Sequence, residues 1–313
     1  MRVGVAGTGH LGYHHARILR GLADRVLIHD TDGDRMAEVA ADLQLQTVSS
    51  MKDLVSSVDA LVVACTTSAH HQVVMEALQA GRHVLVEKPI AATVAEGREM
   101  VSAAEEGGLT LAVGHVERFN PAVVAAEPLI SEPLFVEGHR LAPFGPRGTD
   151  VSVVMDLMIH DLDLVLSFAR SQVREVHASG VSVLSDQVDI ANARLLLDCG
   201  AVVNMTASRI SREPMRKLRF FQRDSYVSVD FASRSVEAFR LNDGAILPVP
   251  VHVSDHDALT AELEDFLAAC RGGAPAVPGA DGLRALEVAD RVVRSVQEGL
   301  RRVQRGDRDS RLH

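Results

Sequence analysis

The stretch Arg2-Val3-Gly4-Val5-Ala6-Gly7-Thr8-Gly9-His10-Leu11-Gly12 opens the chain with a buried-strand pattern that runs without a break into G-x-G-x-x-G. Behind it Leu11, His15, Ile18, Leu19 and Leu22 recur at helical spacing, so the order is strand, glycine loop, helix. The glycines permit a tight turn and let backbone amides approach a pyrophosphate at the N-terminus of the helix. The fingerprint alone is a short signal. It gains weight from the next strand, Arg25–His29, which ends at Asp30, 23 residues after Gly7. A carboxylate at that distance takes the adenosine ribose hydroxyls of NAD. The plainer reading of Asp30 is a turn residue ahead of Thr31-Asp32-Gly33. A carboxylate there repels a 2′-phosphate, which favours NAD over NADP; Arg35 is the one nearby residue that softens that choice.

Outward from the fingerprint, strands and helices alternate. Residues 33–43 read as a helix, Ala60–Ala64 as an all-apolar buried strand, and Ala69–Ala80 as a helix stopped by Gly81. His83–Glu87 is the next strand, Thr93-Val94-Ala95-Glu96 is a capping box, and Leu109–Val113 leads to Gly114-His115. Alternation of this kind predicts a doubly wound parallel sheet whose ligands lie at the carboxyl ends of the strands. Thr66–His70, Glu87–Pro89 and Gly114–Asn120 all fall at such ends.

The pattern changes after residue 118. Asn120-Pro121 reads as an N-cap with proline at the first helical position, opening a helix to about Ile130. From Val173 to Val253 the chain is mostly strand-like, broken by turns such as Asp198-Cys199-Gly200 and Asn242-Asp243-Gly244. The expected architecture is therefore α/β: a dinucleotide-binding parallel sheet over 1–118, then an α+β domain over 119–313 built on a large, mostly antiparallel open sheet. That domain is expected to bind substrate and to self-associate into a homodimer or homotetramer through an apolar open face. Helices follow over 257–270, with Leu259, Leu263, Phe266, Leu267 and Cys270 as its stripe, and over about 281–302.

Composition narrows the classes. With 313 residues and 47% hydrophobic content the chain has material for two cores. A net charge of −10 argues against nucleic acid as a partner, since a phosphate backbone wants a basic face. No apolar run approaches the roughly 20 residues that cross a bilayer. Cys65, Cys199 and Cys270 are widely spaced with no C-x-x-C, which suits a reducing compartment and offers no metal set. A strand beginning at the second residue leaves no room for a signal peptide, so the expected location is cytoplasmic, with no membrane partner.

Two stretches carry chemistry. Lysine is scarce, three of the 32 basic residues, yet one of them, Lys88, sits at a strand end between Glu87 and Pro89. The commonest fate of a lysine is the open surface, but this position lies at the carboxyl edge of the sheet. In Asp156-Leu157-Met158-Ile159-His160-Asp161, Asp156 and His160 stand four apart, on one helical face, where a carboxylate orients an imidazole. Packing alone is the competing account of that pair. His70 and His71 begin the helix after the third buried strand; His70 either packs there or lies near a nicotinamide.

With these residues in view the chain resembles the glucose–fructose oxidoreductase/inositol dehydrogenase (Gfo/Idh/MocA) family over nearly its whole length. Gly7–Gly12, Glu87-Lys88-Pro89 and the Asp156…His160 segment carry the likeness. Gly114-His115-Val116-Glu117-Arg118-Phe119-Asn120-Pro121 and His139-Arg140-Leu141 are similar to the branch acting on nucleotide sugars. One departure stands out: the family usually has proline where this chain has Thr66. The resemblance implies a Rossmann domain with NAD held by Gly7, Thr8, Gly9, His10, Leu11, Gly12, Asp30, Thr66, His70 and Glu87. It implies Lys88, His160 and Asp156 as catalytic groups, with no metal. The implied reaction is oxidation of a sugar hydroxyl to a ketone, on the branch likeness the 3-hydroxyl of a UDP-N-acetylhexosamine. Arg118, Asn120 and Arg147 are the expected substrate contacts, with Arg140 and the run Arg209, Arg212 and Arg216 as further arginines suited to a diphosphate. A free polyol or sugar is the alternative substrate. A non-catalytic dinucleotide-sensing regulatory protein is the alternative of another class, and it has no need of both Lys88 and His160.

Overall fold

The computed structural model describes residues 1–145 and 151–310, which divide into two compact units. The first comprises Met1–Phe119 and His256–Leu286, the second Asn120–Asp255 and Glu287–His313. The break at Phe119 lies next to the boundary read from sequence, but residues 256–286 cluster with the first unit instead of the second. The reason is apolar. Leu263, Phe266 and Leu267 complete the same buried cluster as Val3, Val5, Leu19 and Ile28.

In the first unit the elements are β1 (Arg2–Ala6), α1 (His10–Leu22), β2 (Arg25–His29), α2 (Gly33–Leu43), β3 (Gln46–Thr47), α3 (Met51–Ser57), β4 (Ala60–Val63), α4 (Thr67–Gln79), β5 (His83–Glu87), α5 (Val94–Gly107) and β6 (Leu111–Gly114). The six strands run in the order β3-β2-β1-β4-β5-β6, and every pairing is parallel. Strand order reverses between β1 and β4, which places a crevice at their carboxyl ends. Leu61, Val62, Val63, Leu85 and Val86 are buried, as continuous apolar strands between two helical layers must be. The capping box forms as read: the Thr93 side chain accepts the Glu96 amide, and the Glu96 carboxylate accepts the Thr93 amide.

The second unit holds α6 (Pro121–Ala126), β7 (Phe135–Leu141), α7 (Ile159–Ala169), β8 (Val173–Val181), β9 (Ile190–Leu197), β10 (Val202–Ser208), β11 (Met215–Phe221), β12 (Ser225–Asp230), β13 (Ser235–Asn242) and β14 (Ala245–Val249). The expected helix to Ile130 is shorter, because after Ala126 the chain tightens into a 3-10 turn over Glu127–Leu129 around Pro128. The sheet order is β14-β13-β12-β11-β7-β10-β9-β8, antiparallel throughout except between β7 and β10. One face is core: Val136, Val203, Met205, Leu195, Phe220 and Val227 are buried. The other face departs from the apolar surface read from sequence. Register sets Val202, Phe135, Phe221, Tyr226 and Phe239 in one apolar row. Beside it runs a polar row, in which Arg194 bonds Asn204 and Arg219 bonds Glu137 at 2.6 Å. Two further helices finish the chain: α8 (Ala258–Ala269) in the first unit, and α9 (Gly279–Ser310), which begins in the first and ends in the second.

Candidate active site

In the first unit the glycine loop is shaped by close approach. Gly7 has φ +94°, and a Cβ there would lie 2.7 Å from the Ala64 carbonyl oxygen; at Gly12 it would lie 1.9 Å from the Gly7 oxygen. Gly9 is different, because the Cβ direction is open. That opening, at the uncapped N-terminus of α1, suits a diphosphate against the backbone. A cavity of about 370 Å³ lies there, its wall including Gly7, Gly9, Asp30, Thr31, Cys65 and Thr66. Asp30 directly follows β2 and accepts the Thr8 amide, the Thr8 hydroxyl at 2.8 Å and the Asp32 amide at 3.0 Å. Burial pushes its carboxyl upward, but bonds from the Asp32 and Thr8 amides outweigh this and hold it below the usual carboxylate range. The carboxylate keeps lone pairs to spare for ribose hydroxyls. The loop and Asp30 thus fit the dinucleotide that the fingerprint implies.

The remaining expected cofactor residues do not line this cavity. Thr8 is buried against Asp30, and Gly12 is packed on Gly7. His70 is buried, its Nδ1 3.0 Å from the Pro89 carbonyl and its Nε2 3.2 Å from the Cys65 carbonyl, so it ties the segment after Lys88 to the end of β4. Burial lowers its pKa, the two carbonyls opposing. Glu87 faces His15, whose Nε2 is 2.7 Å from Oε1, while Oε2 accepts the Lys88 amide at 3.3 Å. Gly114, paired with Glu87 across β5 and β6, has no room for a Cβ, which would meet that carboxylate at 2.9 Å. A larger cavity, about 480 Å³, opens among His83, Leu111, Gly273 and Pro278, at the amino ends of β5 and β6, away from the strand ends that carry Lys88.

Also in the first unit, Arg118 pairs with Asp281 at 3.1 Å, on a 3-10 turn over Val116–Phe119. In the second unit Asn120 caps α6 by accepting the Ala122 amide at 3.0 Å. Arg147 lies outside the described residues. Arg140, read as a phosphate candidate, is buried and pairs with Asp161 at 2.7 Å, and Arg209 is likewise buried, bonding the Val151 carbonyl. Asp156 stands on a feature not expected from spacing, and His160 follows it in the first turn of α7. Val154–Met158 is a π-helical turn that runs straight into α7, a local widening often found where a helix carries function.

Parallel sheet, reversal point and glycine loop define a dinucleotide-binding α/β protein. A model of the oxidoreductase family with NAD-binding Rossmann fold matches residues 1–115, and that of the GFO/IDH/MocA C-terminal domain matches 95–224. The chain is 39% identical to UDP-N-acetylglucosamine 3-dehydrogenase of Acidithiobacillus ferrooxidans, over 96% of this chain and 99% of that one. A solved structure of that enzyme superposes with a TM-score of 0.91 at 38% identity, covering 95% and 98% of the two chains. Inositol 2-dehydrogenase 2 of Paenarthrobacter aurescens is 30% identical over 95% of this chain and 96% of its own. The protein belongs to the Gfo/Idh/MocA family of oxidoreductases. No helix among the described residues is long and apolar enough to cross a membrane.

Two residues of a buried titratable cluster were not singled out from sequence: His15, read only as part of the α1 stripe, and Glu262. The one trace in sequence is faint: Glu262 stands three after Leu259 and four before Phe266, inside the apolar stripe of α8, and by itself reads as an ordinary break in that stripe.

Proposed function

We propose that this protein is an NAD-dependent dehydrogenase that oxidises the 3-hydroxyl of a UDP-N-acetylhexosamine to a ketone. The observation that carries the reading is the placement of Lys88 directly after β5, at the carboxyl edge of a sheet whose reversal point holds the fingerprint cleft. The full-length likeness to a UDP-N-acetylglucosamine 3-dehydrogenase supports the choice of substrate. NAD is favoured over NADP because the residue directly after β2, Asp30, is a carboxylate. Arg35, the nearest counter-argument, has its Nε on the Thr8 carbonyl at 3.1 Å and its Nη1 on Glu38 at 2.6 Å.

Bound NAD supplies the hydride acceptor. His160 takes the proton of the sugar hydroxyl as general base, and Asp156 orients the imidazole and stabilises its charged form. Lys88 donates a hydrogen bond to the same oxygen and stabilises the alkoxide charge that grows as hydride leaves the carbon. Atoms balance: one proton to imidazole, one hydride to cofactor, a carbonyl left behind. Residues 119–313 bind the sugar in this reading, and Arg118, Asn120 and Arg147 are the residues assigned to contact the substrate.

NADH appearance across a panel of UDP-sugars tests the substrate. Lys88→Ala and His160→Ala each lower turnover by about two to four orders of magnitude with NAD affinity retained. Wild-type turnover in either variant removes the mechanism. The 30% likeness to an inositol 2-dehydrogenase favours a second reading, a free polyol substrate, and reduction of NAD by inositol but by no UDP-sugar selects it.

A further inference from the structure

Beneath Lys88 lies a group of three titratable side chains that the mechanism above does not use. One imidazole nitrogen of His15 and one oxygen each of Glu87 and Glu262 lie within 4.8 Å of one another, from α1, β5 and α8. All three are buried, with Glu262 2% exposed. Glu87 has partners in His15 and the Lys88 amide, whereas both oxygens of Glu262 have no hydrogen-bond partner among the described residues. A buried carboxyl without a donor, facing another carboxyl, does not persist as a second anion.

We propose that Glu262 is a positioning residue for the dehydrogenase reaction: as a neutral carboxylic acid within 4.8 Å of Glu87, it leaves Glu87 the one anion of the cluster, so that this carboxylate holds His15 and anchors the Lys88 backbone. The inference rests on Lys88 acting on the substrate. The proton belongs on Glu262 and not on Glu87 because His15 and the Lys88 amide both favour the charged form of Glu87. The surroundings agree. Burial raises the Glu262 pKa well above the ordinary value, with Glu87 and, one turn along the same helix, Asp265 adding to the rise. For Glu87, burial acts upward but is outweighed by His15 and Lys88, leaving the carboxyl below its usual range. The other elements against α8 bring His15 from α1, and Glu117 and Arg118 from the 3-10 turn, the arginine already paired with Asp281. A hydrogen bond of 2.7 Å between His15 and Glu87 is also shorter than the spacing of two ligands on one metal ion, so a proton suits the cluster better than a cation.

Full-length protein with Glu262→Gln, Glu262→Ala and Lys88→Ala tests this. An infrared carbonyl stretch of a protonated carboxylic acid is expected in the wild type at neutral pH and is lost in Glu262→Gln; its absence from the wild type overturns the proposal. Glu262→Ala is expected to lower turnover about tenfold or more with NAD affinity retained, and Glu262→Gln, neutral and of the same shape, to restore it to within about threefold. Wild-type turnover then falls at alkaline pH as Glu262 ionises, and the Gln variant lacks that limb. A fully active Glu262→Ala, or a Gln variant as impaired as Ala, overturns the proposal. So does one equivalent of divalent metal in the purified protein that is lost on Glu262→Gln. If Glu262→Ala fails to fold, the infrared comparison of wild type and Gln decides. Full turnover in Lys88→Ala sinks the catalytic reading and the positioning role with it, whereas an inactive Lys88→Ala beside a fully active Glu262→Ala sinks this inference alone.

Discussion

Asp30 does two things with one carboxylate: it fixes the glycine loop through the Thr8 amide and hydroxyl, and it presents its remaining lone pairs to the cleft. Asp30→Ala is therefore expected to weaken NAD by about tenfold or more, the worth of one to two charge-assisted hydrogen bonds, in a calorimetric titration. Unchanged affinity would remove the ribose assignment. Because the Asp30 pKa is depressed, its contribution to folding is complete above the ordinary carboxylate range and is lost only as pH falls through the lower folded value. The placement of Asp30 and Lys88 at strand ends was legible from sequence, since each follows a buried strand of a fold whose ligands gather there. His15 and Glu262 were not legible. Their meaning depends on contacts between segments far apart in the chain, and a buried polar group looks in sequence like an ordinary break in a helical stripe.

Among the elements, α7 shows how a helix that is buried almost all round is held in place. Asp161 on α7 takes both Nε and Nη2 of Arg140 from β7, at 3.1 and 2.7 Å, and the guanidinium lies 5.0 Å from the centre of the Phe231 ring. Arg140→Ala leaves Asp161 buried without this partner, and a loss of about 3–5 kcal/mol in urea-induced unfolding is expected. A loss below about 1 kcal/mol would mean that the pair is not structural. Regular elements with strong local chemistry were readable: the G-x-G loop, the Thr93 capping box, the proline at the start of α6. The two-residue strand β3 has both residues exposed and carries no alternation to find. The π-helical turn leaves no mark in spacing either, because a wider turn and an α-turn both put Asp156 near His160 along the chain.

For the molecule as a whole, the open sheet face is the surface we propose for self-association, as a homodimer or homotetramer. Its aromatic row is continuous, with Phe135 and Phe221 rings 5.7 Å apart and Phe221 and Tyr226 5.1 Å apart. A charged ladder lies beside it, so the face resembles an interface with both apolar anchors and polar register more than a simple greasy patch. Phe221→Glu is expected to shift the light-scattering mass toward that of one chain while NAD affinity is kept. An unchanged mass places any interface elsewhere.

The core of the first unit is not continuous in sequence. Leu263, Phe266 and Leu267 reach it only after the whole of β7–β14 has been made. On the ribosome the nucleotide-binding sheet thus waits, one flank bare, for a helix that arrives only after the second sheet. A gene cut after Phe119 would encode every glycine of the fingerprint and still lack the lid on its own oil.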